Sequence, residues 1–187
     1  MKQLMLATLL LFPAAALAAC PDNPPRTEAH ARIMDKVSKA ENEMESRLLT
    51  NELWEIWATA PDEVAQEILQ RGMERRRSYD FAGAIDDFDT LVEYCPNYAE
   101  GYNQRAFVNF IRGDYALSLS DLNRALKITP DHIGALVGRA LALMQLGRNR
   151  EGQLVLRDAL KLNPWLPERN RLVPLDDVED TAPIKEL

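Results

Sequence analysis

Residues 101–130 read GYNQRAFVNFIRGDYALSLSDLNRALKITP. This stretch indicates the fold because its pattern recurs along the chain. Its closing residue, Pro130, lies 34 residues after Pro96 and 34 residues before Pro164. When the prolines are aligned, three further sets fall into register: Arg71, Arg105 and Arg139; the small Gly72, Ala106 and Ala140; and the apolar Phe88, Leu122 and Leu156. This period indicates helical hairpins that must stack, since one hairpin cannot bury its apolar face alone.

Each repeat carries the spacing of helices. In ALVGRALALMQLG, residues 135–147, apolar side chains recur at intervals of three and four, which predicts a helix with one buried face. Gly113 and Gly147 share the turn position between two helices, where Tyr79 stands in the first repeat. Asn97 and Asp131 each follow a proline and are predicted helix N-caps.

A 34-residue unit of two helices that closes with proline resembles the tetratricopeptide repeat family over residues 65–98, 99–132 and 133–166. The resemblance implies an all-α fold, a right-handed α-solenoid of helix-turn-helix hairpins. Two positions depart from the family pattern: Arg75 replaces a residue that is usually aromatic, and Gly152 replaces a preferred alanine.

Segments on either side complete the predicted organisation. Residues 20–61 read as an N-terminal helical pair, either a divergent repeat or a cap, in which Trp54 and Trp57 seal the junction with the next helix or bind a ligand. Residues 62–173 hold the three units and a short C-terminal cap. Residues 174–187 are acidic with two prolines, which predicts a disordered tail.

Residues 1–19 resemble a signal peptide, with a charged Lys2, an apolar run and small residues at the end. We therefore expect an exported bacterial protein of the periplasm. Residues 17–20, Leu-Ala-Ala-Cys, also resemble the lipobox of bacterial lipoproteins, which would make the protein a membrane-anchored lipoprotein instead.

The two cysteines bear on this choice. Exported compartments are oxidising, which favours a disulfide between Cys20 and Cys95. Such a bond would close a loop of about 75 residues and contribute about 2–4 kcal/mol. A lipidated Cys20 would leave Cys95 unpaired, and two free thiols are the third alternative.

The composition excludes several function classes. Lys and Arg total 22 against 29 Asp and Glu, a net charge of −7 that argues against nucleic-acid binding. Two His and two Cys are too few for a zinc cluster, and the catalytic sequence motifs are absent, so we predict no enzyme and no cofactor. His30 and His132 are expected to be solvated, as is the helix face with Asp86, Asp87 and Asp89. The basic run Arg75-Arg76-Arg77 either pairs with neighbouring carboxylates or docks an acidic peptide or the chain's own acidic tail.

The resemblance implies a binding surface, because the first helix of each unit lines the concave side in this family. Carried over by register, that side holds Gln66, Leu69, Met73, Arg76, Glu100, Asn103, Phe107, Phe110, Gly134, Val137, Leu141 and Met144. The lysines with which many members bind a C-terminal carboxylate are missing. The predicted partner-binding groove is apolar: Leu69, Met73, Arg76, Asn103, Phe107, Phe110, Val137, Leu141 and Met144.

These features predict a non-catalytic scaffold or adaptor of the bacterial cell envelope that binds a protein or peptide in this groove. Gly134 and Gly138 would allow close approach of a ligand backbone. Alternatively the groove is filled by the chain's own segments or by a second copy, which would make a homo-oligomeric structural protein. The third hypothesis, to which no motif in the chain points, is an enzyme or a small-ligand carrier.

Overall fold

The computed structural model describes residues 20–22 and 28–181, so the predicted signal peptide lies outside the described residues. Within these ranges the chain is helical and contains no strand. The helices are α1 Glu28–Ser38, α2 Glu43–Trp57, α3 Glu63–Arg77, α4 Phe81–Tyr94, α5 Ala99–Arg112, α6 Tyr115–Ile128, α7 Ile133–Gln145 and α8 Asn149–Leu162, followed by 3-10 helices Pro167–Arg171 and Leu175–Asp177. The prediction of an all-α solenoid is confirmed.

Helices α3–α4, α5–α6 and α7–α8 form three hairpins in the predicted repeats. The shared turn position has the left-handed backbone in all three, with φ of 65° at Tyr79, 86° at Gly113 and 76° at Gly147. The predicted N-caps are displaced by one residue: Tyr98 precedes α5, and His132 precedes α7 and accepts a bond from the Ala135 N–H. An imidazole nitrogen therefore takes the capping role expected of the Asp131 carboxylate.

The in-register residues build the core. Phe88, Leu122 and Leu156 are buried on the second helix of each hairpin, and Ala106 and Ala140 are buried on the first helix of the later two. Each large side chain removed from water contributes roughly 1.5–3 kcal/mol.

The in-register arginines join the two helices of a hairpin only in the first two repeats. Arg71 Nε lies 2.7 Å from Asp87, and Arg105 Nη2 lies 2.6 Å from Asp121. Asp87 and Asp121 are both buried, so the expectation that the acidic face of α4 is solvated is wrong for Asp87. In the third repeat the equivalent position is Val155, and the buried Nε of Arg139 has no hydrogen-bond partner among the described residues.

The N-terminal hairpin, α1–α2, lies along the edge of the stack that the inter-unit loops form. At the last loop Ser46 Oγ donates to Asn163 at 2.7 Å, and at the first loop the Tyr98 hydroxyl donates to the Trp57 carbonyl at 2.8 Å. Val37, Leu53 and Trp57 share one apolar cluster with Ile133, Ala159 and Leu166. The hairpin therefore crosses the stack and packs on the third unit, instead of extending the stack ahead of α3 as another repeat would.

The C-terminal residues follow α8. The Val173 N–H donates to Gln153 Oε1 at 3.1 Å, the Arg150 N–H donates to Asp180 at 2.8 Å, and the Thr181 N–H donates to the Gly147 carbonyl at 2.9 Å. The prediction of a disordered tail from residue 174 is therefore wrong as far as Thr181, because polar groups of α8 and its preceding turn satisfy this backbone. Residues 182–187 lie outside the described residues.

Cys20 lies beside Cys95 at the first inter-unit loop, with the two Cα atoms 5.1 Å apart. This separation lies within the range that a disulfide requires. None of the helices in residues 28–181 is long and apolar enough to cross a membrane.

Candidate functional site

A cavity of about 380 Å³ opens on the inner side of the stack, between α5 and α7. Six of the nine predicted groove residues line it: Arg76, Asn103, Phe107, Phe110, Val137 and Leu141. Residues outside the prediction complete the lining, among them Trp54 of the N-terminal hairpin, Gln104, Ser118, Leu122 and Glu168 of the C-terminal cap. We call this surface the groove.

Three predicted groove residues lie elsewhere. Leu69 is fully buried in the first core cluster, where Ala58 and Ala60 of the linker after α2 also pack. Met73 packs against the same cluster. Met144 contributes to a separate depression beside the C-terminal segment. Placing Leu69, Met73 and Met144 in the groove was therefore wrong, since register identifies a helix face but not the segments that cover it.

The groove wall is apolar and aromatic. Phe107 is 48% exposed, although it is a large apolar side chain. Phe110 packs edge-on against Tyr115, with ring centroids 5.2 Å apart. The Arg76 guanidinium lies over the Phe107 ring at 4.8 Å, which holds a cation beside the apolar surface.

A network of hydrogen-bonded and largely buried polar side chains lies next to this wall. Arg76 Nη1 donates to Gln104 Oε1 at 2.6 Å, and the Gln104 amide donates in turn to Glu100. Glu100 is only 2% exposed and also accepts from Asn103 Nδ2 at 3.0 Å. Burial lowers the pKa of Arg76, while the nearby Glu100 charge raises it. The guanidinium remains a cation because its unperturbed pKa is so high.

His132 completes the network. Its Nδ1 accepts the Ala135 N–H, so the Nε2 must carry the proton that bonds Glu100 at 2.8 Å. The ring stacks on Trp57, with centroids 4.2 Å apart and planes 16° from parallel. His132 and His30 are both buried, so the expectation that they are solvated is wrong. The N-cap position of His132 was visible in the sequence, but its stacking on Trp57 depends on a segment 75 residues away.

The two glycines predicted to admit a ligand backbone differ in role. A Cβ at Gly138 would lie 3.0 Å from Leu122 Cδ2, so this glycine permits close packing of α7 on α6. Both glycines line the groove, but a Cβ at Gly134 would make only ordinary van der Waals contacts.

The groove combines an apolar surface with a few polar and charged groups. It offers aromatic and aliphatic surface, one guanidinium, one carboxylate and the amide of Asn103. No group of three or more His, Cys, Asp or Glu side chains in residues 20–22 and 28–181 is arranged to hold a metal ion.

Comparison with known proteins identifies the class. No family model matches the chain. It is 32% identical to a TPR repeat-containing protein of Rhizobium etli over 134 residues, 72% of this chain and 57% of that protein. It is 37% identical over 76 residues to a tetratricopeptide repeat protein 36 homolog of Nematostella vectensis, 41% of each chain. The chain thus spans about half the length of these curated relatives.

Solved structures agree on the fold. The first TPR of Spaghetti (RPAP3), bound to the HSP90 peptide SRMEEVD, superposes with a TM-score of 0.58 at 22% identity. The match covers 60% of this chain and 90% of that one. The chain is a tetratricopeptide repeat protein.

Proposed function

We propose that this chain is a non-catalytic scaffold that binds a peptide segment of another protein in the groove. The observation that carries the proposal is the open cavity whose wall contains the half-exposed Phe107 under the Arg76 guanidinium. A large aromatic side chain left at the surface of a concave site is a typical anchor for a ligand side chain. The related fold that binds an HSP90 peptide supports a peptide as the ligand class.

We further propose that the protein works in the bacterial cell envelope, exported by residues 1–19. The proximity of Cys20 and Cys95 supports an oxidising compartment such as the periplasm. A lipid anchor on Cys20 is the competing alternative, because the Cys20 sulfur cannot be bonded both to a lipid and to Cys95. Mass spectrometry of the N-terminal peptide from periplasmic and membrane fractions distinguishes them, and an unprocessed leader on a cytoplasmic product would contradict export.

The binding proposal is tested with a peptide-display library panned against the purified protein. Phe107→Glu places a charge in the apolar wall and is expected to weaken binding of the selected peptides at least tenfold. Leu117→Glu is the matched control, because Leu117 is 60% exposed on α6 and does not line the groove. Equal affinity of wild type and Phe107→Glu would refute the groove assignment. Light scattering across a concentration series tests the alternative that a second copy occupies this face.

A further inference from the structure

Among the residues that the structure describes, Glu168 is the one acidic side chain that lines the groove, and it comes from the C-terminal cap. It is partly buried, and its carboxylate makes no hydrogen bond or ion pair with the described residues. Its neighbour Arg169, by contrast, pairs with Glu43 at 3.0 Å. A partly buried carboxylate without a counter-ion loses hydration that a cation brought by a ligand can replace.

Arg76 gives the groove the opposite charge, from the first repeat. One guanidinium N–H donates to Gln104, and within the part of the chain that the structure describes no other group accepts a hydrogen bond from this guanidinium. The remaining arginines of the basic run form ion pairs elsewhere, since Arg75 Nη1 lies 3.1 Å from Asp87 and Arg77 Nη2 lies 2.7 Å from Glu74. Arg76 is therefore the member of this run whose charge faces the groove.

We infer that the groove selects a peptide segment with an acidic side chain at one end, an apolar centre and a basic side chain at the other. The acid meets Arg76, the apolar centre covers Phe107 and Val137, and the base meets Glu168. This inference rests on the proposed function of the groove. A wholly acidic ligand fits less well, because Glu168 and the net charge of −7 repel it. The two charges thus fix the direction in which the segment lies.

The test uses two fluorescent peptides with acetylated and amidated ends, so that only side-chain charge is compared. One has glutamate, an apolar Phe-Ala-Leu centre and lysine in that order; the other exchanges glutamate and lysine. Both are made with several spacer lengths, because an extended chain advances about 3.3 Å per residue. Backbone contacts of the bound segment favour one chain direction, so only one order places both charges on their partners. Wild type is expected to bind that order about tenfold more tightly at low salt, because the other order replaces two ion pairs by two repulsions.

The variant Arg76→Glu with Glu168→Lys keeps the net charge and should reverse the preference. Arg76→Gln with Glu168→Gln should abolish it, and this milder pair remains informative if the charge exchange near Glu100 prevents folding. The matched control exchanges an exposed pair on α8, Asp158→Lys with Lys161→Glu, and should retain the wild-type preference.

Failure of the inference and failure of the proposed function are distinguishable. Equal binding of both orders by wild type and every variant overturns the charge selection but leaves a peptide groove. No binding of any peptide overturns the groove itself. Affinity that rises when residues 182–187 are deleted, or that falls with protein concentration, would show that the chain's own segment or a second copy is the occupant, and would also overturn the inference.

Discussion

The packing of the Phe88 ring against Gly72 allows a quantitative prediction of how substitutions at these two positions change the free energy of unfolding. The later repeats pair alanine with leucine at these positions, whereas the first pairs glycine with phenylalanine. A Cβ on Gly72 would lie 2.6 Å from Phe88 Cε1 and 2.9 Å from Cζ, and Phe88 is fully buried. The glycine therefore makes room for a ring that leucine would not require.

The expected energies follow from this geometry. Gly72→Ala gains about 1 kcal/mol of helix propensity but overpacks the core by about 1–3 kcal/mol, a net loss of up to about 2 kcal/mol. Phe88→Leu alone leaves a small void beside the glycine and costs about 1–1.5 kcal/mol. The double variant recreates the pairing of the later repeats, and its free energy of unfolding should lie within about 0.5 kcal/mol of the wild-type value, which corresponds to a coupling of about 1–3 kcal/mol.

Urea unfolding of the four proteins, followed by far-ultraviolet circular dichroism, measures this cycle. Additive effects, in which the double variant loses the sum of the two single losses, would contradict the predicted clash between a Cβ at position 72 and the Phe88 ring. Additivity would mean that Phe88 accommodates a methyl group at position 72 without a loss of free energy. Glycine would then be required at this position for some other reason.

Two further predictions concern the edge of the stack. Replacing Cys20 and Cys95 by serine should lower the free energy of unfolding by about 2–4 kcal/mol through the freed 75-residue loop, and equal stability with and without reductant would count against the bond. Burial raises the pKa of the Tyr98 phenol far above its usual value near 10. The folded state thus keeps this proton while the unfolded chain loses it, so the contribution of Tyr98 is complete below pH 10 and falls by about 1.4 kcal/mol per pH unit above it. Tyr98→Phe should remove that part of the alkaline slope in urea titrations, and an unchanged slope would show that Tyr98 is not its source.

The repeat was predictable because its interactions are local. Each hairpin buries residues that recur every 34 positions, so Phe88, Leu122 and Leu156 could be assigned to the core by alignment alone. The left-handed turn at Tyr79 was signalled in the same way, by the glycines at the equivalent positions. Neighbouring helices in such a stack are close in sequence, and the period therefore carries their packing as well as their existence.

The placement of the N-terminal hairpin was not predictable in this way. Helical spacing reveals an apolar face but not the surface that covers it. The contact between Ser46 and Asn163 joins residues 117 apart, and no repeat relates them. The sequence wrongly predicted Leu69 in the groove, and it did not predict Trp54 and Glu168 there. The positions of all three relative to the groove depend on segments outside the repeats.

The departures of the third repeat explain why those segments settle where they do. Val155 replaces the aspartate that pairs with arginine in the first two repeats, and α8 turns Gln153 and Arg157 toward the C-terminal segment instead. The C-terminal segment of the chain itself covers that face of α8. The N-terminal hairpin covers the loop edge of the stack in the same way. The inner side between α5 and α7 keeps an open cavity, and the terminal segments add Trp54 and Glu168 to its wall. The N-terminal hairpin and the C-terminal cap therefore give the groove a rim and a second charge. For this reason the ligand preference should depend on Arg76 and Glu168 together.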